Sequence, residues 1–240
     1  GDMELRYQPI IDLRTGRVTK VEALLRWGSS TENAASALDV AQDSGLVDNL
    51  SRWVIGQAAA AASELAASPG GPRVTLNLST FGGVDHLEGF IHLLAADGLE
   101  IPGRLEVEVS ETALSDSPLR AAELVDKLRS IGLSVVIDDF GAGYTSLSTV
   151  AGLALDGLKI DRSYIATLTS IPADAAVVQS TIDFCHQLGL DVTALGVADE
   201  ATLSVLRSMG CDLAQGFLLS EPLPIGQVPD RVAQLESAFV

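Results

Sequence analysis

Apolar and polar residues follow two alternating rhythms along the chain. Short runs such as Val135-Val136-Ile137 are apolar throughout, and others such as Leu158-Lys159-Ile160 alternate, both marks of strands. Longer stretches repeat apolar residues at the helical period instead. Strands are predicted over 5–12, 18–26, 73–79, 104–110, 133–139, 156–161, 191–197 and 212–219. Helices are predicted over 35–44, 47–67, 87–96, 117–131, 173–188, 200–208 and 227–238. Strands that alternate with helices imply βαβ units and a parallel sheet covered on both faces. The order predicts an α/β protein, a closed TIM-like (β/α)8 barrel. Arg14-Thr15-Gly16-Arg17 joins the first two strands as a hairpin turn, so one strand runs antiparallel. The breaks at Ser68-Pro69-Gly70-Gly71-Pro72 and Thr80-Phe81-Gly82-Gly83 are loops, too short for linkers. Residues 1–240 are therefore expected to form a single domain, with its core over about 5–225.

Polar residues interrupt the apolar runs towards strand ends, where barrels of this kind carry their chemistry. Glu22 lies in the second strand and Asn77 in the third. Glu106, Glu108 and Glu111 belong to the fourth, and Asp138-Asp139 close the fifth. Lys159 and Asp161 follow in the sixth, and Gln215 in the eighth. A carboxylate in an apolar strand is costly unless it is paired or bound to a cation. Each alone has an ordinary explanation: Glu106 or Glu108 met by a lysine or arginine, Glu111 capping a loop, Asp161 capping a turn. As a set from several strands they form a hard, oxygen-rich site suited to Mg²⁺ or Mn²⁺. Adjacent aspartates can bridge two such ions, an arrangement that suits phosphodiester hydrolysis. Asp138/139-Phe140-Gly141 also matches a kinase tripeptide, but neither a Gly-rich loop nor His-Arg-Asp accompanies it.

Composition narrows the partners. With 15 basic and 32 acidic side chains the net charge is −17, which argues against nonspecific binding of DNA, RNA or an anionic membrane. An anionic ligand needs a local cation. No apolar run reaches the roughly 18 residues of a membrane span, and Gln57 and Glu64 interrupt the nearest candidate. The opening GDMELRYQP lacks the pattern of a signal peptide. Cys185 and Cys211 are expected as small, buried, reduced residues, which fits a reducing compartment such as the cytoplasm. His86, His92 and His186 lack metal-ligand spacing and are expected to be structural or on the surface.

Together these residues resemble an EAL domain, the family of cyclic di-GMP phosphodiesterases. Glu22-Ala23-Leu24 stands within Glu-Ala-Leu-Leu-Arg-Trp. Further matches are Tyr7-Gln8-Pro9-Ile10, Asn77-Leu78-Ser79, Glu108-Val109-Ser110-Glu111, Asp138-Asp139-Phe140-Gly141-Ala142-Gly143-Tyr144, Lys159-Ile160-Asp161 and Gln215-Gly216-Phe217. The resemblance implies a barrel with one reversed strand. It implies a first metal, Mg or Mn, on Glu22, Asn77, Glu108 and Asp138, with Asp138 and Asp139 reaching a second. Lys159 would orient the attacking water or neutralise phosphate charge. Gln8, Leu25, Arg26, Asp139 and Gln215 would contact the ligand, and Glu111 would hold the loop 140–146. Homodimers in the family form near the sixth strand, and a homodimer and further signalling domains are among the expected partners.

One departure bears on activity. Where the family reads Glu-Gly-Val-Glu after the seventh strand, this chain reads Leu195-Gly196-Val197-Ala198. The missing glutamates belong to the second metal and to activation of water. Asp199 and Glu200 follow, but the unbroken register makes Asp199 the cap of the next helix. The expected function is a cyclic di-GMP-binding domain with lost or strongly reduced phosphodiesterase activity. A working phosphodiesterase giving pGpG is the second reading, and a protein-interaction scaffold without nucleotide is the third.

Overall fold

A computed structural model of the chain describes residues 3–27, 34–78, 103–115, 118–143 and 146–239. Its eight strands are β1 (Met3–Asp12), β2 (Val18–Trp27), β3 (Arg73–Asn77), β4 (Leu105–Ser110), β5 (Ser134–Phe140), β6 (Gly157–Ile160), β7 (Asp191–Leu195) and β8 (Leu213–Gln215). They close in sequence order into a barrel. β1 runs antiparallel to both its neighbours, β2 and β8, and every other pairing is parallel. The expected fold with one reversed strand is the observed one.

Around the barrel lie α1 (Ala34–Asp43), α2 (Val47–Ala66), α3 (Glu111–Ser115), α4 (Pro118–Ser130), α5 (Leu147–Ala151), α6 (Arg162–Thr167), α7 (Pro172–Leu188), α8 (Glu200–Ser208) and α9 (Val228–Ala238). The short helices α3, α5 and α6 were not expected. At one or two turns, their apolar residues are too few to show a period. The expected helix 87–96, the break at 80–83, His86 and His92 lie outside the described residues. The outer faces of the strands meet the helices: Val74, Val107, Val109, Val135 and Val192 are fully buried. On α2, Ala58, Ala61 and Ala62 are buried, and side chains this small let a helix lie close to the sheet. Among the described residues no helix is long and apolar enough to cross a membrane.

Strand alternation decides what points into the lumen. Register aligns Glu22 with Gln8 and Thr75, Asn77 with Glu108, and Lys159 with Thr193. The inward set is therefore polar, and it is divided into levels. At the lower one, Lys20 Nζ donates to both carboxylate oxygens of Glu106, at 2.8 and 2.7 Å, with both side chains buried. Glu106 thus has a lysine partner and belongs to the barrel's interior rather than to its mouth. Cys185 and Cys211 are free and buried, and burial pushes each thiol up to about 12. His186 is on the surface, Nε2 2.9 Å from Asp212 Oδ2.

Candidate active site

At the upper level, Lys159 of β6 points its ammonium into a ring of acids. Its Nζ is 2.8 Å from Glu22 Oε2, in closer contact with Glu108 Oε1, and 3.9 Å from Asp138 Oδ1. Thr75 donates to the same Glu108 oxygen at 2.7 Å, and Asn77 Nδ2 donates to Asp138 Oδ2 at 3.1 Å. Gln215 Nε2 bridges Glu22 Oε2 at 2.7 Å and Gln8 Oε1 at 3.0 Å, while Gln8 donates onward to the Ser220 carbonyl at 2.9 Å. Residues expected from seven different strands thus meet in one network.

The electrostatics follow from burial. Desolvation pushes Glu108 well above the ordinary carboxylate range, helped by the charge on Glu22. Asp138 is pushed up to about 6, again chiefly by burial, with Glu22 adding to it. Burial also acts on Glu22, but Lys159 and the Gln215 hydrogen bond outweigh it and hold that carboxyl low. For Lys159, burial pulls the ammonium down, while Glu108, Glu22 and Asp138 together raise it well above its usual value. The lysine is held charged by its surroundings.

Local backbone geometry aims the two aspartates differently. The β5–β6 register breaks between Ile137 and Phe140, and Asp139 takes φ 54. Aspartate tolerates that left-handed conformation better than most side chains. Asp138 therefore continues the inward series, whereas Asp139 is exposed at the mouth. Beyond them, Glu111 Oε2 accepts from the Gly141 and Gly143 amides at 2.8 and 2.9 Å. A Cβ on Gly143 would lie 3.1 Å from the Glu111 carboxyl carbon, so glycine allows this approach.

The mouth is a cleft of about 1070 Å³. Gln8, Glu22, Asp138, Asp139 and Gln215 line it, as do Leu24, Arg162, Leu195, Ala198 and Phe217. Leu25, expected as a ligand contact, is 2% exposed and packs into the core. The period of two explains the difference: Glu22, Leu24 and Arg26 share the inner face, and Leu25 lies on the outer one. Arg26 is half-buried and donates to the Leu25 carbonyl at 3.0 Å. Thr75 and Arg162 were not anticipated, and Leu24 and Phe217 entered only as members of matching motifs, without a place in the site. Thr75 carried a usable signal, since it lies two residues before Asn77 on the same face.

At the end of β7, Leu195 is half-buried and Ala198 is exposed, and both face the cleft. Gly196 turns the backbone at φ 78. Val197 then donates to the Gln215 carbonyl at 3.0 Å, tying this turn to β8. Asp199 accepts from the Thr202 amide at 2.8 Å and caps α8, as its position suggested, so its carboxylate is committed there.

Glu108 Oε2, Asp138 Oδ1 and Gln215 Oε1 are buried and have no hydrogen-bond partner. Orphaned buried oxygens of this kind are what a hard divalent cation would satisfy. Among the described residues no three acidic, histidine or cysteine side chains stand ready as a ligand set, because the Lys159 ammonium fills the space between the acids. The donors fit one cation on Glu22, Asn77, Glu108 and Asp138, with Lys159 displaced from their centre. A second, beside Asp139, would find Leu195 and Ala198 in place of oxygen donors.

The comparisons agree with this architecture. The family model of the EAL domain matches residues 1–222. The cyclic di-GMP phosphodiesterase NbdA of Pseudomonas aeruginosa is 36% identical over 234 residues, covering 95% of this chain and 30% of that protein. An uncharacterised protein of Azorhizobium caulinodans is 35% identical over 96% of this chain and 33% of its own length. The chain thus spans about a third of the curated relatives it matches. Among solved structures, the PaMucR phosphodiesterase in complex with c-di-GMP superposes with a TM-score of 0.83 at 30% identity, covering 94% of each chain. The EAL domain of Mycobacterium smegmatis DcpA gives 0.75 at 30% identity, over 96% of this chain and 95% of that one. On fold, motifs and family match together, the chain belongs to the EAL domain family.

Proposed function

We propose that this domain is a cyclic di-GMP receptor whose phosphodiesterase activity is lost or strongly reduced. The observation that carries this is the end of β7, where Leu195 and Ala198 present hydrocarbon to the cleft that Glu22, Asp138, Asp139 and Gln215 also line. Hydrolysis needs an oxygen there to activate water, and loss of a general base commonly costs about 10²–10⁴ in rate. Loss of a second cation adds to that. Binding makes smaller demands. Gln8, Arg26, Asp139 and Gln215 remain for the ligand. The donors Glu22, Asn77, Glu108 and Asp138 suit one Mg²⁺ or Mn²⁺, which would supply positive charge for the phosphates.

The setting follows from the same reading. A nucleotide second messenger and two free buried cysteines fit a bacterial cytoplasm. Leu147 and Ile171 are exposed and flank β6 in sequence, which supports a homodimer through that region. The short span relative to the relatives supports additional signalling domains in a longer protein.

The test is calorimetric titration with cyclic di-GMP in Mg²⁺ and again in EDTA, followed by chromatography of the cell contents. Saturable binding without pGpG is the expected result. Rapid conversion to pGpG would replace the receptor with a working phosphodiesterase. No binding in either buffer would leave a scaffold that contacts other proteins.

A further inference from the structure

The inward face of β3 carries Arg73, Thr75 and Asn77, spaced by two, and each meets an acid of a following strand. Arg73 Nη2 lies 4.0 Å from Glu106 Oε2 at the lower level. Thr75 Oγ1 donates to Glu108 Oε1 at 2.7 Å, and Asn77 Nδ2 donates to Asp138 Oδ2 at 3.1 Å. The two upper contacts have the same consequence. In each carboxylate, β3 takes the oxygen opposite the orphaned one, since Glu108 Oε2 and Asp138 Oδ1 have no hydrogen-bond partner. The strand thus sorts the oxygens of both acids, occupying one and leaving the other open. Thr75 is fully buried, so no solvent competes for its hydroxyl. Branching at its Cβ restricts χ1, so the strand sets the direction in which the hydroxyl points.

Resting on the reading that Glu22, Asn77, Glu108 and Asp138 hold one cation, we propose that Thr75 is a positioning residue for it: the hydroxyl occupies Oε1 of Glu108, so that Oε2 is the oxygen offered. Lys159 also contacts Oε1, but an ammonium is repelled by an entering divalent cation and must give way. A neutral hydroxyl meets no such repulsion and stays. It keeps the carboxylate oriented while its charged partner is exchanged. Without it, the terminal torsion of a glutamate is soft and the carboxylate can turn. Either oxygen can then pair with Lys159, and the ammonium becomes harder to displace. Hydrogen bonds of this kind to ligating carboxylates commonly matter by about 10–100-fold in metal affinity.

The test is Mn²⁺ titration followed by electron paramagnetic resonance of the free ion, with no nucleotide present and with thermal melts in EDTA to check folding. Glu108→Gln identifies the site, because the binding it weakens is the binding to be compared. Thr75→Val removes the hydroxyl and keeps the shape, Thr75→Ala removes it in a second shape, and Thr75→Ser keeps it. Thr75→Val and Thr75→Ala should each weaken that binding about tenfold or more, and Thr75→Ser should stay within about threefold of the parent. If the parent binds and folded Thr75→Val stays within about twofold of it, the positioning role is overturned and the cation site stands. Equal weakening in Thr75→Ser and Thr75→Val would assign the effect to packing and overturn the role of the hydroxyl. If neither Thr75→Val nor Thr75→Ala folds, Thr75 is a structural residue and the inference fails. A parent that binds no Mn²⁺, or binds it unaffected by Glu108→Gln, overturns the cation reading and the inference together.

Discussion

Lys159 and Glu22 are 137 residues apart in sequence, and in the barrel their side chains meet at 2.8 Å with the lysine 2% exposed. The ammonium also touches Glu108 and lies 3.9 Å from Asp138, so one cation serves three buried carboxylates. Removing it leaves acids uncompensated in a medium that penalises charge. Lys159→Met is expected to destabilise the metal-free domain by about 3–5 kcal/mol in urea unfolding. Mn²⁺ should restore more of that loss than it adds to the parent, since it would supply the missing charge. An unchanged unfolding midpoint would mean that the acids do not depend on this lysine.

Asp138 gives the pH dependence. Its carboxyl is raised to about 6 in the fold, mainly by burial. A raised carboxyl contributes stability that is present below its unfolded value, near 4, and is lost as pH rises through about 6. At pH 7.5 the ionised group is held at a cost that a divalent cation would relieve. The increase in melting temperature on adding Mn²⁺ should therefore be larger at pH 7.5 than at pH 5, measured by scanning fluorimetry. An equal increase at both values would place the cation elsewhere.

The β7 end yields a gain-of-function prediction. Leu195→Glu with Ala198→Glu puts two carboxylates into the cleft beside Asp139. Mn²⁺-dependent conversion of cyclic di-GMP to pGpG should rise about 10²-fold or more over the parent. A double variant that binds the nucleotide and still fails to hydrolyse it would locate the defect in other residues.

The strands were legible because each is a short apolar run, and the acids were legible because they break those runs. What sequence could not show was depth. Glu106 and Glu108 share an inward face by the period of two, yet Glu106 meets Lys20 at the lower level and Glu108 meets Lys159 above it. Both partners come from distant strands, so only the register separates a structural acid from a site acid. Strand ends were overestimated for physical reasons too. β7 ends at Leu195 because Gly196 leaves the extended region, and β8 ends at Gln215 as Gly216 packs against Val197. Phe217 was read as the continuation of an apolar strand, and its exposure depends on that closure.

The lower pair offers a contrast that separates fold from site. Lys20 and Glu106 are bidentate at 2.8 and 2.7 Å and buried, and neither lines the cleft. Breaking such a pair from one side is costly, because the remaining charge keeps its desolvation penalty without its partner. Glu106→Gln is therefore expected to lose about 3–5 kcal/mol of stability. Replacing both, as Lys20→Met with Glu106→Leu, removes both penalties and should recover most of that loss. Cyclic di-GMP affinity should be the same in the parent and the double variant, whereas Glu108→Gln, with its orphaned oxygen, should alter Mn²⁺ binding. A double variant no more stable than Glu106→Gln would show that packing around the pair, and not its charge, holds the lower barrel. A shift in nucleotide affinity there would show instead that the two levels are coupled through Thr75, which aligns with Glu106 in register and donates to Glu108 at 2.7 Å.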